Sequence, residues 1–435
     1  MGVEASQVAL LLRRAGFGGD RSQIERLAGL PDRAAVVDAV LATSPPFIGS
    51  PMPEVGTGET HGWEDLVALT QWWIDRMART TTPIVEKMTL FWHGLFTTSY
   101  SKVFNPRLIA DQHLFYRNHA LGDLRLLVHG MARQPAMLCY LDNAWSGRWA
   151  PNQNFARELM ELFLLGAGAY CEADVDAAAA AWTGHGFDAA TNSYIFRPDW
   201  HDDSSKTFLG HRGALDGPDV IDIILTDPAV SPIMARWIAR KLWEFFAHPT
   251  PSDATLDAIA TALLSRYRIL DALRVLFNRD EFYGRASVEG RVRPPIEYLV
   301  AVLRALPGID AATVHPEWYL PDMGQMPFNP PTVEGWKANG YWISTASAGA
   351  KANFATNLTW TLDARGRHPV ADSAAMPVDA AAQLALDRLQ VIFPSATTRS
   401  ALELFLTTNR AAADTWFERH GLFVATLLCP ELQVG

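Results

Sequence analysis

The sequence contains few cysteines and no long uncharged hydrophobic run. Its three cysteines, Cys139, Cys171 and Cys429, are widely spaced, and none belongs to a C-x-x-C motif. An odd, scattered set does not support a disulfide framework. No apolar stretch reaches the ~20 residues that span a bilayer, and the short N-terminal run ends at Arg13 and Arg14 with no basic segment before it. These absences predict a soluble, cytoplasmic protein without a signal peptide or a membrane partner.

Positive charge is also scarce. The chain has 37 Lys and Arg residues against 47 Asp and Glu residues, which gives a formal net charge of −10. This balance argues against a general binder of phosphate backbones, so no nucleic-acid partner is expected. Only 19% of the 435 residues are charged and 49% are hydrophobic, so we expect a large core. The expected partner is a small-molecule substrate or another protein.

The common catalytic signatures are missing. The sequence has no G-x-S-x-G elbow, no Walker loop, no G-x-G-x-x-G motif after a strand and no H-E-x-x-H. A ferritin-like di-iron bundle needs Glu-x-x-His on two helices. This chain offers Glu158-x-x-Glu161 without a matching histidine, which argues against a site of that type.

Helical spacing of apolar residues runs through most of the chain and predicts a mainly α fold. Strands do not alternate with helices, so a doubly wound sheet is not supported. The one convincing strand pair is a small β-hairpin formed by residues 193–196 and the polar segment 197–210. We therefore predict a single compact multi-helix domain over residues 1–435, divided into an N-terminal helical arm (1–60), a helical core (61–190), a hairpin insertion (191–215) and a C-terminal helical part (216–435).

The segment from residue 154 to residue 170 predicts one amphipathic helix ended by Gly166. Asn154, Glu158 and Glu161 fall at positions i, i+4 and i+7, so they share one face, with Arg157 beside them. Two carboxylates and a guanidinium on so apolar a helix are either solvated or line a polar cavity. We expect the second arrangement, which is a site hypothesis.

Two other segments contribute polar groups. His93 follows Glu86 and Thr89 on a second apolar helix, and the hairpin segment contains His201, Asp202 and Lys206. We expect the hairpin segment to fold back onto the central helix and close one side of its cavity. The extended segment 328–336, which contains Trp336, is expected to form a rigid wall over the helices because Pro330 and Pro331 prevent a helix there.

These groups support two kinds of chemistry if they converge. His93, Glu158, Glu161 and His201 would be ligands for a divalent transition metal. Alternatively, Glu158, Glu161 and Asp202 would transfer protons while Arg157 and Lys206 hold an anionic substrate. Each group also has a purely structural interpretation. The glutamates can pair with arginine in a buried network, and His93 can be a hydrogen-bonded core histidine.

Six segments together resemble the bacterial family catalogued as domain of unknown function 1800. They cover nearly the whole chain in the family's order: LLRRAGFG (11–18), EKMTLFWHGLF (86–96), PNQNFARELMELFLLGAGAYCEADV (151–175), WTGHGF (182–187), HDDSSKTFLG (201–210) and FNPPTVEGW with the following YWIST (328–345). The family pattern has His-Asn-His where this chain has His93, Gly94 and Leu95, and often a histidine where it has Phe163. The resemblance implies the fold and the choice of residues, and it implies no established reaction.

The leading functional hypothesis is an enzyme with a polar pocket, with or without a bound divalent transition metal, that acts on a small anionic or carbonyl-bearing substrate. The alternative is a non-catalytic scaffold or partner-binding protein whose polar stripe is a buried structural network.

Overall fold

The computed structural model describes residues 3–56, 62–410 and 415–434. Helices make up 64% of it. In the N-terminal half the α-helices are Ala5–Arg14 (α1), Arg21–Ala28 (α2), Arg33–Leu41 (α3), Gly62–Arg79 (α4), Pro83–Leu95 (α5), Tyr100–Val103 (α6), Pro106–His119 (α7), Leu124–Met131 (α8), Pro135–Tyr140 (α9), Gln153–Glu158 (α10), Glu172–Ala181 (α11) and Gly217–Thr226 (α12).

The C-terminal half is helical as well. Its α-helices are Ser231–Phe246 (α13), Asp253–Arg266 (α14), Ile269–Asn278 (α15), Arg285–Glu289 (α16), Pro295–Ala305 (α17), Ala311–Val314 (α18), Leu320–Met323 (α19), Thr345–Ala364 (α20), Val378–Arg388 (α21), Ala396–Arg410 (α22), Thr415–Leu427 (α23) and Pro430–Gln433 (α24). Short 3₁₀ turns lie at Asn143–Trp145, Pro198–Trp200, Asp280–Tyr283, Pro316–Trp318, Asn339–Trp342 and Ser373–Ala375. The mainly α prediction is confirmed.

The strand prediction needs a correction. Two antiparallel hairpins are present, with β1 (His185–Asp188) paired to β2 (Ser193–Phe196) and β3 (Lys206–Phe208) paired to β4 (His211–Gly213). The segment 197–205 therefore links two hairpins and is not the connection within one. Each hairpin closes locally through residues with positive φ, Asn192 in the first and Leu209–Gly210 in the second. Local turns of this kind make neighbouring strands pair in preference to more distant ones.

The central helix is also different from the prediction. After α10 the backbone continues as a π-helical turn over Leu159–Leu164, in which the Leu165 N–H donates to the Met160 carbonyl at 2.8 Å. This i→i+5 pattern is rare and is often found at functional sites. The turn ends at Gly166, as predicted, with a φ of 80°.

One hydrophobic cluster includes residues from α1 through α24, so the described helices share a common core. Helix α5 lies deep within it, because both its apolar and its polar side chains are buried. Among the described residues, no helix is both long and apolar enough to cross a bilayer. The predicted boundary between the N-terminal arm and the core, at residues 60 and 61, lies outside the described residues.

Candidate functional site

The predicted stripe on the central helix is half-buried. Asn154, Glu158 and Glu161 are neither fully exposed nor in the core. The Asn154 amide donates to the Asp142 carboxylate at 3.1 Å. None of the three predicted residues lines either of the two cavities described below. The three side chains are thus half-buried, and the expectation that they face an interior cavity stays a prediction.

Neighbouring side chains already bind two of the predicted catalytic groups. Two guanidinium nitrogens of Arg157 each lie 2.8 Å from a carboxylate oxygen of Glu172. Glu161 accepts a hydrogen bond from the Tyr170 hydroxyl at 2.9 Å. Burial, followed by this bond to Glu161, raises the pKa of Tyr170 to about 12. Arg157 is thus an ion-pair partner of Glu172 and is not held free for a substrate.

Glu158 is different, since no described residue donates a hydrogen bond to its carboxylate. Burial raises its pKa above the ordinary value, and the negative charge of Glu161 raises it further, while Arg157 opposes both effects. The charge of Glu334, from the segment 328–336, acts in the same direction as Glu161. A carboxyl group of this kind keeps a proton to higher pH and is a candidate acid or base.

His93 is a core histidine. Its Nε2 accepts a hydrogen bond from the Phe328 backbone N–H at 3.0 Å, and its ring packs edge-on against Trp73 and Trp336. Burial lowers the pKa of His93 to about 4, so the ring is neutral at physiological pH. Because the Nε2 lone pair is already engaged, that nitrogen is not free to bind a metal.

His201, Asp202 and Lys206 form their hydrogen bonds within the hairpin segment and with Thr183, which lies just after α11. His201 Nδ1 lies 2.9 Å from the Thr183 carbonyl oxygen, and the Asp202 N–H donates to the Thr183 hydroxyl at 2.8 Å. Lys206 is buried, and its ammonium donates to the backbone carbonyls of Asp202 and Ser204. Asp202 and Lys206 thus stabilise the link between the two hairpins.

The predicted metal ligands are not assembled. Within residues 3–56, 62–410 and 415–434, no three His, Cys, Asp or Glu side chains are grouped closely enough to hold a metal ion. His93 and His201 each use a ring nitrogen for a backbone group, as described above. The residues present therefore do not fit the expected site formed by His93, Glu158, Glu161 and His201, and no metal-dependent step is derived.

The segment 328–336 lies against the C-terminal end of α5. The Phe328 carbonyl accepts a hydrogen bond from the Tyr100 N–H at 2.9 Å. A Cβ atom at Gly335 would lie 2.4 Å from the Gly94 carbonyl oxygen, so the two backbones are in direct contact. This close approach requires glycine at position 335 and fixes the half-buried Trp336 against His93.

The most highly charged part of the interior lies elsewhere, around Glu297. This buried carboxylate is 2.7 Å from the Lys87 ammonium and is bound by two nitrogens of Arg291, at 2.8 and 2.6 Å. Burial alone would raise the pKa of Glu297, but Arg291 and Lys87 lower it to about 2. Burial lowers the pKa of Lys87 to about 7 despite the neighbouring carboxylate.

The C-terminal end of α1 lies next to this cluster of charges around Glu297. Arg14 is fully buried and donates to the backbone carbonyls of Ala247 at 2.8 Å, Phe246 at 3.2 Å and Ser287. The Lys87 ammonium donates to the Gly16 carbonyl at 2.9 Å. These bonds fix the segment just after α1 against α5 and α13.

The guanidinium groups of two further arginines, Arg13 and Arg293, have no partner among the described residues. No described residue forms an ion pair or a side-chain hydrogen bond with either guanidinium, and Arg13 Nε is buried and unsatisfied. Arg293 is only 5% exposed. Burial and the nearby charge of Arg13 together lower the pKa of Arg293 to about 10, although the charge of Glu297 opposes them. Both arginines line one cavity of about 560 Å³.

A smaller cleft of about 210 Å³ shares the segment that contains Arg293. It is lined by Arg291, Glu244, Trp336 and Trp342 among others. Burial raises the pKa of Glu244, an effect that Lys241 opposes. The extended segment 291–293 therefore presents one arginine to this cleft and another to the larger cavity. Arg291 pairs with Glu297, whereas no carboxylate in the described part of the chain pairs with Arg293.

The family of the chain follows from a comparison over its whole length. A sequence model for the family described as "Protein of unknown function (DUF1800)" matches residues 10–434. The chain belongs to the DUF1800 family. Comparison with curated proteins and with solved structures gives no match.

In this DUF1800 protein, two of the segments that carry the family resemblance contribute to the 560 Å³ cavity and to the buried charges around Glu297. LLRRAGFG supplies Arg13 and Arg14, and EKMTLFWHGLF supplies Lys87. None of these three residues was predicted as a site residue from the sequence, and neither were the other members of the region, Arg291, Arg293 and Glu297. The available signal was the sequence RVRPPIE (291–297), in which two arginines alternate ahead of a helix beginning at Pro295.

Proposed function

We propose that this protein binds a small anionic molecule in the 560 Å³ cavity, through Arg13 and Arg293. The observation that carries the proposal is that Arg293, which is buried, and Arg13, which is half-buried, have no carboxylate partner among the described residues. The proposal keeps the anionic substrate expected from the sequence. It transfers the role of binding that anion from Arg157 and Lys206, which have protein partners, to Arg13 and Arg293.

Electrostatics favours an anion at the basic end of the cavity, where Arg13 and Arg293 lie. Moving a charged group out of water costs several kcal/mol, and a protein recovers this cost by pairing the charge. Here Glu297 is already bound by Lys87 and Arg291, so it attracts Arg293 only from a distance and forms no ion pair with Arg13 or Arg293. Arginine forks bind carboxylates and related oxyanions with two parallel hydrogen bonds, which makes an oxyanion the matching ligand.

The acidic residues that line the cavity do not replace this ligand. Glu431 accepts hydrogen bonds from the Ser395 N–H at 2.7 Å and from the Thr398 hydroxyl at 2.9 Å. Glu4 is exposed and lies 3.4 Å from the Ser6 hydroxyl. Neither carboxylate pairs with Arg13 or Arg293, so the basic end of the cavity keeps its positive charge.

Calorimetric titration of the full chain with inorganic phosphate, benzoate and octanoate tests the proposal. We expect at least one of these anions to bind saturably to the wild-type protein, and Arg293→Met to weaken that binding at least tenfold. The matched control is Arg274→Met, because Arg274 is a surface residue paired with Asp38 at 2.9 Å. Failure of all three anions to bind, or equal binding by Arg293→Met, would overturn the proposal.

A second candidate function is acid–base catalysis at the central helix. It is supported by Glu158, whose half-buried carboxylate has a raised pKa and no hydrogen-bond donor within the described part of the chain. Glu161, held by Tyr170, would be its partner.

The alternative of a non-catalytic scaffold is supported by α5. Its predicted polar stripe is a buried network, in which Glu86 accepts hydrogen bonds from Trp73, Arg76 and Arg117 at 3.1, 2.8 and 2.7 Å. Such a network contributes to the fold without requiring a ligand.

A further inference from the structure

We infer that the anion is amphipathic: a monocarboxylate whose head binds between Arg13 and Arg293 and whose apolar body fills the rest of the cavity. This inference rests on the anion site proposed above and adds the chemical class of the ligand. It follows from the walls of the cavity, its size and the balance of charge along it.

The walls beyond the two arginines are mainly apolar. Leu10 and Phe17 line the cavity from the end of α1 and the residues after it, and Ile24 lines it from α2. Val391 and Leu432 line it from the C-terminal part of the chain. Polar side chains, among them Gln7, Tyr283 and Gln390, line the cavity too. Even so, any hydroxyl group of a sugar phosphate or a nucleotide that faced the apolar side chains would be left unpaired, which is costly. An aliphatic or aromatic body would instead exclude water from them.

The cavity is also too large for a simple inorganic anion. Its volume of about 560 Å³ falls in the range of ~300–1,000 Å³ that is typical of sites for drug-sized ligands. Phosphate or acetate would contact the arginines and leave the apolar walls in contact with water. A carboxylate with a medium-length aliphatic body would contact both the two arginines and those walls.

The charge balance favours a monoanion. Hydrogen bonds from Ser395 and Thr398 oppose the effect of burial and keep the pKa of Glu431 below its ordinary value. Glu431 is therefore ionised, and it lines the same cavity as Arg13 and Arg293. A polyanion would be repelled by this carboxylate, whereas a single carboxylate head needs only the two guanidinium groups.

The inference predicts a dependence of affinity on chain length. Burying one methylene group contributes ~0.8 kcal/mol, which corresponds to about fourfold in Kd. Titration of the full chain with acetate, octanoate and dodecanoate should therefore give affinities that rise by about this factor per added methylene until the cavity is full. Dodecanol, which has the body without the carboxylate, should bind at least tenfold more weakly than dodecanoate.

Two variants test separately the binding of the carboxylate head and of the apolar body of the ligand. Arg293→Met should weaken dodecanoate binding at least tenfold, whereas the surface control Arg274→Met should not change it. Ala9 lines the apolar part of the cavity, so Ala9→Leu should weaken dodecanoate binding and leave acetate or phosphate binding unchanged. Circular dichroism of each variant confirms that it is folded before it is titrated.

The outcomes distinguish this inference from the proposed function. Phosphate or acetate binding as tightly as dodecanoate, with loss in Arg293→Met, would overturn the amphipathic ligand and leave the anion site standing. Dodecanoate binding that is unaffected by Arg293→Met and equalled by dodecanol would overturn both. A rise in affinity with chain length that is lost in Arg293→Met supports both.

Discussion

Individual polar residues in this protein are distinguished by their partners and not by their spacing along the chain. Glu86, Glu158 and Glu297 all lie on helices rich in apolar residues. Glu86 and Glu297 each have arginine partners, while Glu158 has no hydrogen-bond donor among the described residues. A side chain without a protein partner is the stronger candidate for binding a ligand or exchanging a proton.

Glu158→Gln tests the role of the central helix. Because the pKa of Glu158 is raised in the folded state, folding favours its protonated form, and wild-type stability should fall as pH rises through that folded pKa. At neutral pH Glu158→Gln should therefore be slightly more stable than the wild-type protein, by at most about 1 kcal/mol for such a solvent-screened group.

Urea denaturation at pH 4 and at pH 7.5 measures this effect. Gln153→Glu on the same helix serves as a charge-changing control that leaves Glu158 in place. A loss of ~3–5 kcal/mol in Glu158→Gln would instead identify a buried charge pair, and Glu158 would then be structural.

His93 gives a second prediction at the residue scale. Its pKa is lowered from 6.5 to about 4 in the folded protein, so the unfolded chain binds the proton more readily. The stability that depends on neutral His93 is present above pH 6.5 and is lost as pH falls through about 4. His93→Gln, which can still accept from the Phe328 N–H, should therefore show a smaller decrease in melting temperature between pH 7 and pH 4 than the wild-type protein. An identical decrease in both proteins would show that His93 does not contribute.

At the scale of elements, regular helices could be predicted from the sequence and irregular ones could not. In Ile269–Asn278 the buried residues Ile269, Leu273 and Leu276 recur at helical spacing, and a pattern of this kind predicts a helix from the sequence alone. The π-helical turn Leu159–Leu164 has no comparable local signal. It is stabilised by packing, for example the Trp237 indole N–H that donates to the Leu162 carbonyl at 3.1 Å.

The end of the π-helical turn provides a test with a matched control. Gly166 and Gly168 both have positive φ values, of 80° and 88°. A Cβ atom at Gly166 would lie 2.6 Å from the Trp237 ring, whereas one at Gly168 would meet nothing within 4 Å. Gly168→Ala should cost ~1–2 kcal/mol from backbone strain alone, and Gly166→Ala should cost at least ~1 kcal/mol more from the clash. Equal free energies of unfolding for the two variants would contradict the packing described here.

At the scale of the whole molecule, the sequence identified the fold and the family but not the cavity. Segment order and helical periodicity are properties of the chain itself. The cavity depends on Arg13 from α1 and Arg293 from the segment before α17, which only the tertiary fold brings together. The predicted site has the same limit, since spacing alone could not show that Arg157 pairs with Glu172 or that His93 accepts a hydrogen bond from a backbone N–H.

The free energy of unfolding of Arg293→Met, measured with urea in anion-free buffer and again with saturating octanoate, tests the central claim most directly. If Arg293 is held unpaired for a ligand, its replacement by an apolar side chain should leave stability unchanged or raise it by up to ~1–4 kcal/mol in anion-free buffer. Octanoate should stabilise the wild-type protein and have little effect on the variant. A loss of ~3–5 kcal/mol in anion-free buffer, together with equal stabilisation of both proteins by octanoate, would show that Arg293 is a structural residue and would contradict the account.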